Sequence, residues 1–133
     1  MSGKAKKTLV IGAAAVVLIA GLMAGKGFIS SRAYFRAAGR LSSSMPADLQ
    51  AKYGEELKYT VDKFWKCYEE EICSRNDMTD VMDRMKRLTS SGSITDSDIF
   101  DFIGFVSRLY TDRLDHHHRE EIRRMEEERQ SEG

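Results

Sequence analysis

The pattern of apolar and polar positions divides the chain into one continuous apolar run and several amphipathic stretches. The run, TLVIGAAAVVLIAGLMAG, covers residues 8–25 and contains no charged residue. At about 1.5 Å per residue, a helix of this length spans about 27 Å, close to the ~30 Å thickness of a bilayer's hydrocarbon core. We therefore predict a single transmembrane helix over residues 8–25, preceded by a basic tail over residues 1–7.

The second half of the chain shows helical periodicity. Between residues 48 and 75, apolar side chains recur every three or four positions, which is the spacing of one helical face. These side chains are Leu49, Tyr53, Leu57, Val61, Phe64, Tyr68 and Ile72. Similar stripes over residues 78–88 and 99–110 predict two more helices. The predicted fold is therefore all-α, with the transmembrane helix, a small antiparallel three-helix bundle over residues 48–114, and a charged helical extension over residues 115–133.

Two local signals mark where these helices begin. Pro46 lacks a backbone N–H and suits the first turn of a helix. Thr95 and Asp98 resemble a helix start, because the threonine hydroxyl can accept a hydrogen bond from an early backbone amide. Asp96, Asp98 and Asp101 lack the glycine and the spacing of a calcium-binding loop, so we interpret them as part of this helix start.

The segment between the predicted anchor and the bundle, residues 26–47, is basic and partly aromatic. Three arginines repeat every fourth residue along one helical face, with two aromatic side chains nearby. This combination is typical of a helix at a membrane surface with anionic headgroups. The predicted membrane-interface residues are Lys26, Arg32, Tyr34, Phe35, Arg36 and Arg40. The alternative is a continuation of the anchor helix, whose arginines only stop it from sliding into the bilayer.

The charges are unevenly distributed along the chain. Residues 1–47 contain seven basic and no acidic residues, whereas residues 48–133 contain 14 basic and 21 acidic residues. A nucleic-acid-binding domain needs a dense basic face on its folded part, and the predicted folded part is net acidic. We therefore predict no nucleic-acid partner. The predicted partners are membrane lipid and either another membrane or membrane-associated protein or a second copy of the chain.

Two short motifs are candidate contact sites. Gly21 and Gly25 form a GxxxG pair in the predicted anchor, and small residues at this spacing allow transmembrane helices to approach closely. Met78, Met82 and Met85 lie at helical spacing on one face. Flexible thioether side chains suit either core packing or an adaptable partner-binding face. The partner-binding hypothesis rests on these three methionines.

The sequence contains little that indicates chemistry. Three adjacent imidazoles, His116–His118, point about 100° apart on a helix, so they cannot converge on one metal ion. If Cys67 and Cys73 lay on one helix, they would be too far apart for a disulfide, which leaves buried thiols or an intermolecular bond from an exposed Cys67. No catalytic set of side chains and no cofactor fingerprint is found in the sequence. We predict a non-enzymatic protein with no cofactor.

Together these features predict a single-pass membrane protein that acts as a protein–protein interaction or complex-assembly module. Its orientation is undetermined, because basic residues flank both ends of the apolar run. The alternative is that the apolar run is a cleaved signal peptide. In that case the mature chain is a secreted or periplasmic helical protein that binds metal through its histidine cluster, where His116 with Glu120 or His117 with Glu121 shares one helical face.

Overall fold

The computed structural model describes residues 30–132, and this part of the chain folds into four α-helices without any β-strand. The helices are α1 (Ser31–Ser44), α2 (Ala47–Glu69), α3 (Arg75–Ser90) and α4 (Asp96–Ser131). The predicted all-α class is confirmed. None of the helices in the described part is long and apolar enough to span a bilayer. The predicted anchor, residues 8–25, lies outside the described residues.

The bundle has one more helix than the sequence pattern predicted. Residues Ser31–Ser44 form α1, whose buried face consists of Tyr34, Ala37, Ala38 and Leu41. The prediction of a three-helix bundle is therefore wrong, since α1 contributes to the same core as the other helices. The physical reason is that three short helices enclose little apolar volume, and a fourth apolar face enlarges the core.

The side chains of the bundle show which helix ends lie together. The ring of Tyr34, at the start of α1, stacks on Trp65 near the end of α2, with 5.3 Å between the ring centroids. Asp77, at the start of α3, is hydrogen-bonded to Arg113 of α4. We call this end, defined by these four residues, the entry end. Since Tyr34 lies in the first turn of α1, the described chain begins at the entry end.

At the opposite end of the bundle, α2 and α4 both begin. Lys52 and Tyr53 of α2 contact the carboxylate of Asp96, the first residue of α4, at 2.7 and 2.8 Å. Helices α2 and α4 thus run parallel and pack closely, as α1 and α3 do. Helix α4 continues past the entry end, since its last buried residue is Tyr110 and the helix ends at Ser131.

Side-chain caps fix the helix boundaries. Thr95 and Asp98 form the reciprocal capping box at the start of α4, which confirms the predicted helix start. Ser74 and Asp77 form a second capping box at the start of α3. Helix α2 ends in a tight reversal in which Glu71 adopts a φ of 61°. These caps satisfy backbone amides that have no partner within the helix.

Candidate interaction surfaces

The predicted membrane-interface residues lie in different environments in the fold. Arg32, Arg36 and Arg40 are exposed on α1, and none of them forms an ion pair with a carboxylate of residues 30–132. Lys26 lies outside the described residues, as do Gly21 and Gly25. The exposed arginines are therefore free to meet an external anion.

Tyr34 requires a correction. Its side chain is completely buried, and its hydroxyl donates a hydrogen bond to the backbone carbonyl oxygen of Val61, 2.7 Å away. Burial, followed by the negative charge of nearby Asp62, raises the pKa of Tyr34 far above its ordinary value. The prediction that Tyr34 contacts the membrane interface is wrong, because the side chain belongs to the core of the bundle.

An aromatic cluster surrounds Tyr34 at the entry end. Phe35 packs edge-on against Tyr34 with 5.1 Å between the centroids and remains 40% exposed. Trp65 lies between Tyr34 and Tyr68, and its centroid is 5.5 Å from that of Tyr68. Sequence reasoning did not single out Trp65, although it is the one tryptophan of the chain. Phe35 thus keeps an exposed aromatic edge beside the start of α1.

A cavity of about 270 Å³ lies between α1 and α3. We call it the basic groove, and its lining consists of Ala33, Arg36, Ala37, Arg40, Met82, Lys86, Thr89 and Ser90. Three cations and no carboxylate are among these residues. Sequence reasoning found Arg36 and Arg40 but missed Lys86, because only the packing of α3 on α1 brings its ammonium group to the same cavity.

The methionines of α3 face the rest of the bundle. Met78, Met82 and Met85 are all buried in the core, although Met82 also contributes to the lining of the basic groove. Of the two alternatives that the sequence left open, this burial favours core packing. Partner binding through these side chains stays a prediction.

Asp77 and Arg113 form the most buried ion pair of the described bundle. The guanidinium donates two hydrogen bonds to the carboxylate, at 3.0 and 3.1 Å, and the Asp77 side chain is almost fully buried. Burial acts to raise the pKa of Asp77, but the hydrogen bonds from Arg113 and Ser74 outweigh it and lower the pKa. The pair links the start of α3 to α4. It also explains how the charged side chain of Asp77 can be buried in the core.

Cys67 and Cys73 lie closer together than a continuous helix allows. The backbone amides of Ile72 and Cys73 both donate to the carbonyl oxygen of Cys67, at 2.9 and 3.1 Å, so the chain folds back on itself. Both thiols are free and buried. The expectation of one continuous helix is wrong, since α2 ends at Glu69. Of the two alternatives for the cysteines, the structure shows buried thiols.

The last part of α4, residues 115–131, extends beyond the bundle, and we call it the α4 arm. The ion pairs of Arg123 are local, since it contacts Glu120 at 2.8 Å and Glu127 at 3.6 Å. Ile122 and Met125 are 41% and 58% exposed. The arm therefore presents two apolar side chains within a charged helix.

The histidines lie at the base of the α4 arm. His117 pairs with Glu121 at 3.1 Å across one helical turn. Within residues 30–132, no group of three or more potential ligands is placed to hold a metal ion.

Comparison of the chain with protein-family models, curated proteins and solved structures gives no match.

Proposed function

We propose that this chain is a non-enzymatic, single-pass membrane-anchored module that assembles with another membrane-associated protein through its α4 arm. The observation that carries the proposal is that Ser30, where the described chain begins, and the α4 arm lie at the same end of the bundle. A partner that contacts the arm then lies next to the membrane.

The lengths of the two segments support this arrangement. If the anchor ends at Gly25, residues 26–30 reach at most about 18 Å, since an extended residue spans about 3.3–3.6 Å. The α4 arm is longer, because 17 helical residues extend about 25 Å. The arm is therefore longer than the segment that joins the bundle to the anchor, so a membrane-anchored partner lies within its reach.

The charge of the arm favours a protein over lipid as its occupant. Residues 115–131 contain six acidic and four basic side chains, and a net negative helix is repelled by anionic headgroups. Most helical stability comes from packing of an apolar face, and local ion pairs add only about 0.2–0.5 kcal/mol each. A partner helix with apolar and basic side chains complements Ile122, Met125 and the surrounding carboxylates.

The test uses the full-length chain and chemical cross-linking in native membranes. In the variant Ile122→Glu with Met125→Glu, cross-linking of the arm to a defined protein is expected to be lost. Phe100→Glu is the matched control, since Phe100 is a 65% exposed apolar residue of the same helix within the bundle. Equal cross-linking in both variants, with unchanged circular dichroism, rejects the arm as the contact surface.

Two further measurements separate the parts of the proposal. Light scattering in neutral detergent shows whether the arm variant only converts a homodimer into a monomer, which would replace the distinct partner by a second copy. Extraction with alkaline carbonate tests the anchor, and release of the intact chain into the supernatant rejects it.

A further inference from the structure

The basic groove differs in charge from two other cavities of the described bundle. A cavity of about 200 Å³ between α3 and α4 contains Arg84 and Arg87 but also Asp98 and Asp101. The cavity beside Phe100 contains the carboxylates of Glu56 and Asp101 together with Arg108. In both cavities carboxylates therefore lie beside the cations of the lining. The basic groove contains cations alone, so its charge is balanced only by a ligand or by solvent ions.

The cations of the basic groove come from two helices and have no acidic partner among residues 30–132. Lys52, Arg113 and Arg123, in contrast, each pair with a carboxylate. Arg36 and Arg40 are separated by one helical turn on α1, and Lys86 faces them from α3. Three cations around one cavity repel each other, and an anion between them removes this cost.

The size and polarity of the groove indicate the class of anion. A volume of about 270 Å³ is slightly below the ~300–1,000 Å³ of cavities for drug-sized ligands, so a small group fits it. Ala33 and Ala37 leave the α1 wall free of bulk. Guanidinium groups match the oxygen atoms of a phosphoryl group in two-point contacts, and a lysine adds a point charge.

The hydroxyl groups of the groove play different parts. The Thr89 hydroxyl donates to the carbonyl oxygen of Met85 at 2.9 Å, so it has no proton left for an anion. The Ser90 hydroxyl is exposed at the last residue of α3 and is available to donate. The donors are therefore Arg36, Arg40, Lys86 and Ser90.

We infer that the basic groove between α1 and α3 is a binding site for a phosphoryl group, carried by a lipid headgroup or by a soluble phosphate compound. The site goes beyond the proposed assembly function, because it uses neither the α4 arm nor a protein partner.

The experiment measures binding to the full-length chain in micelles of a neutral maltoside detergent. Isothermal titration calorimetry with inorganic phosphate tests the soluble source. Native mass spectrometry with short-chain phosphatidic acid, against phosphatidylcholine, tests the headgroup source. The double variant Arg36→Gln with Arg40→Gln is expected to weaken binding about tenfold or more, since each arginine supplies charge-assisted hydrogen bonds. Both side chains are exposed, so circular dichroism and the melting temperature should stay unchanged.

Arg32→Gln is the matched control, because Arg32 is exposed one turn earlier on α1 but does not line the groove. Binding of either probe that is lost in the double variant and kept in this control supports the site. Phosphate binding identifies a soluble source, and retention of phosphatidic acid alone identifies the headgroup. Absence of binding by both probes, or equal weakening in the double variant and the control, overturns the inference.

Discussion

The hydroxyl of Tyr34 lies 2.7 Å from the backbone carbonyl oxygen of Val61, to which it donates a hydrogen bond across 27 positions of sequence. This bond ties the first turn of α1 to α2. The segment that follows residue 30 is therefore part of the folded core and not a flexible tether. If the N-terminal part of the chain is exchanged for an unrelated anchor, the fold is kept only when α1 is retained and the residues before Ser30 alone are replaced.

Substitution of Tyr34 tests whether α1 is part of the folded unit. Tyr34→Phe removes the hydrogen bond alone and is expected to cost about 1 kcal/mol in the free energy of unfolding. Tyr34→Ala also leaves a cavity and is expected to cost about 3–5 kcal/mol. Phe35→Ala is the control and should cost less, because Phe35 is 40% exposed. Urea denaturation measures all three, and equal losses in the two alanine variants contradict the placement of Tyr34.

Met85 tests the role of the methionine face. The side chain is fully buried, so Met85→Ala is expected to lower the free energy of unfolding by about 2–5 kcal/mol. Met85→Leu preserves most of the volume and should cost less than about 1.5 kcal/mol. Met125→Ala, on the exposed α4 arm, should change stability by less than about 0.5 kcal/mol. A Met85→Ala variant as stable as the wild type, but unable to bind a partner, supports the partner-binding hypothesis.

The pair of Asp77 and Arg113 predicts that the free energy of unfolding depends on pH in the acidic range. Because the pKa of Asp77 is lowered in the folded state, its contribution is complete above the ordinary carboxyl pKa of 3.8. It is lost as the pH falls through the lower folded pKa. Asp77→Asn should cost about 2 kcal/mol at pH 7, since hydrogen bonds to a charged group are lost, and this cost should shrink towards pH 2.

Arg113→Gln is the companion variant for this pair. It should cost only about 1 kcal/mol, because Arg113 is half exposed and Asp77 keeps its capping bonds to Ser74. Unfolding measured by denaturant between pH 2 and pH 7 gives both effects. A cost of Asp77→Asn that stays constant over this range shows that the carboxylate charge does not stabilise the fold.

The paired thiols predict slow chemical labelling. Burial first, and then the neighbouring Cys67 and Asp77, raise the pKa of Cys73 to about 12, and burial also raises the pKa of Cys67. Since the thiolate is the reactive species, few molecules react at pH 8. Ellman's reagent should therefore label both cysteines slowly in the native chain and rapidly in urea. Rapid labelling of one thiol per native chain contradicts the burial of Cys67.

Local patterns predicted the elements that depend on neighbours in sequence. The spacing of apolar residues predicted the helices that became α2, α3 and α4, because one helical face has to be apolar in order to be buried. Thr95 and Asp98 predicted the start of α4, because a capping box is completed within four residues. The charges after Leu114 likewise predicted a solvated helical extension, since few apolar side chains remain there to be buried.

By itself, the sequence thus determined that the described part of the chain is all-α, where α2 and α4 begin and which faces of α2, α3 and α4 are apolar. Only the tertiary structure decided what those faces contact. Tyr34 and Phe35 are neighbours in an amphipathic segment, yet one is buried against α2 and the other keeps an exposed edge. The joining of Lys86 to Arg36 likewise depends on how α3 packs on α1. The physical reason is that periodicity encodes the side chains' directions around one axis, whereas contacts depend on the relative positions of several axes.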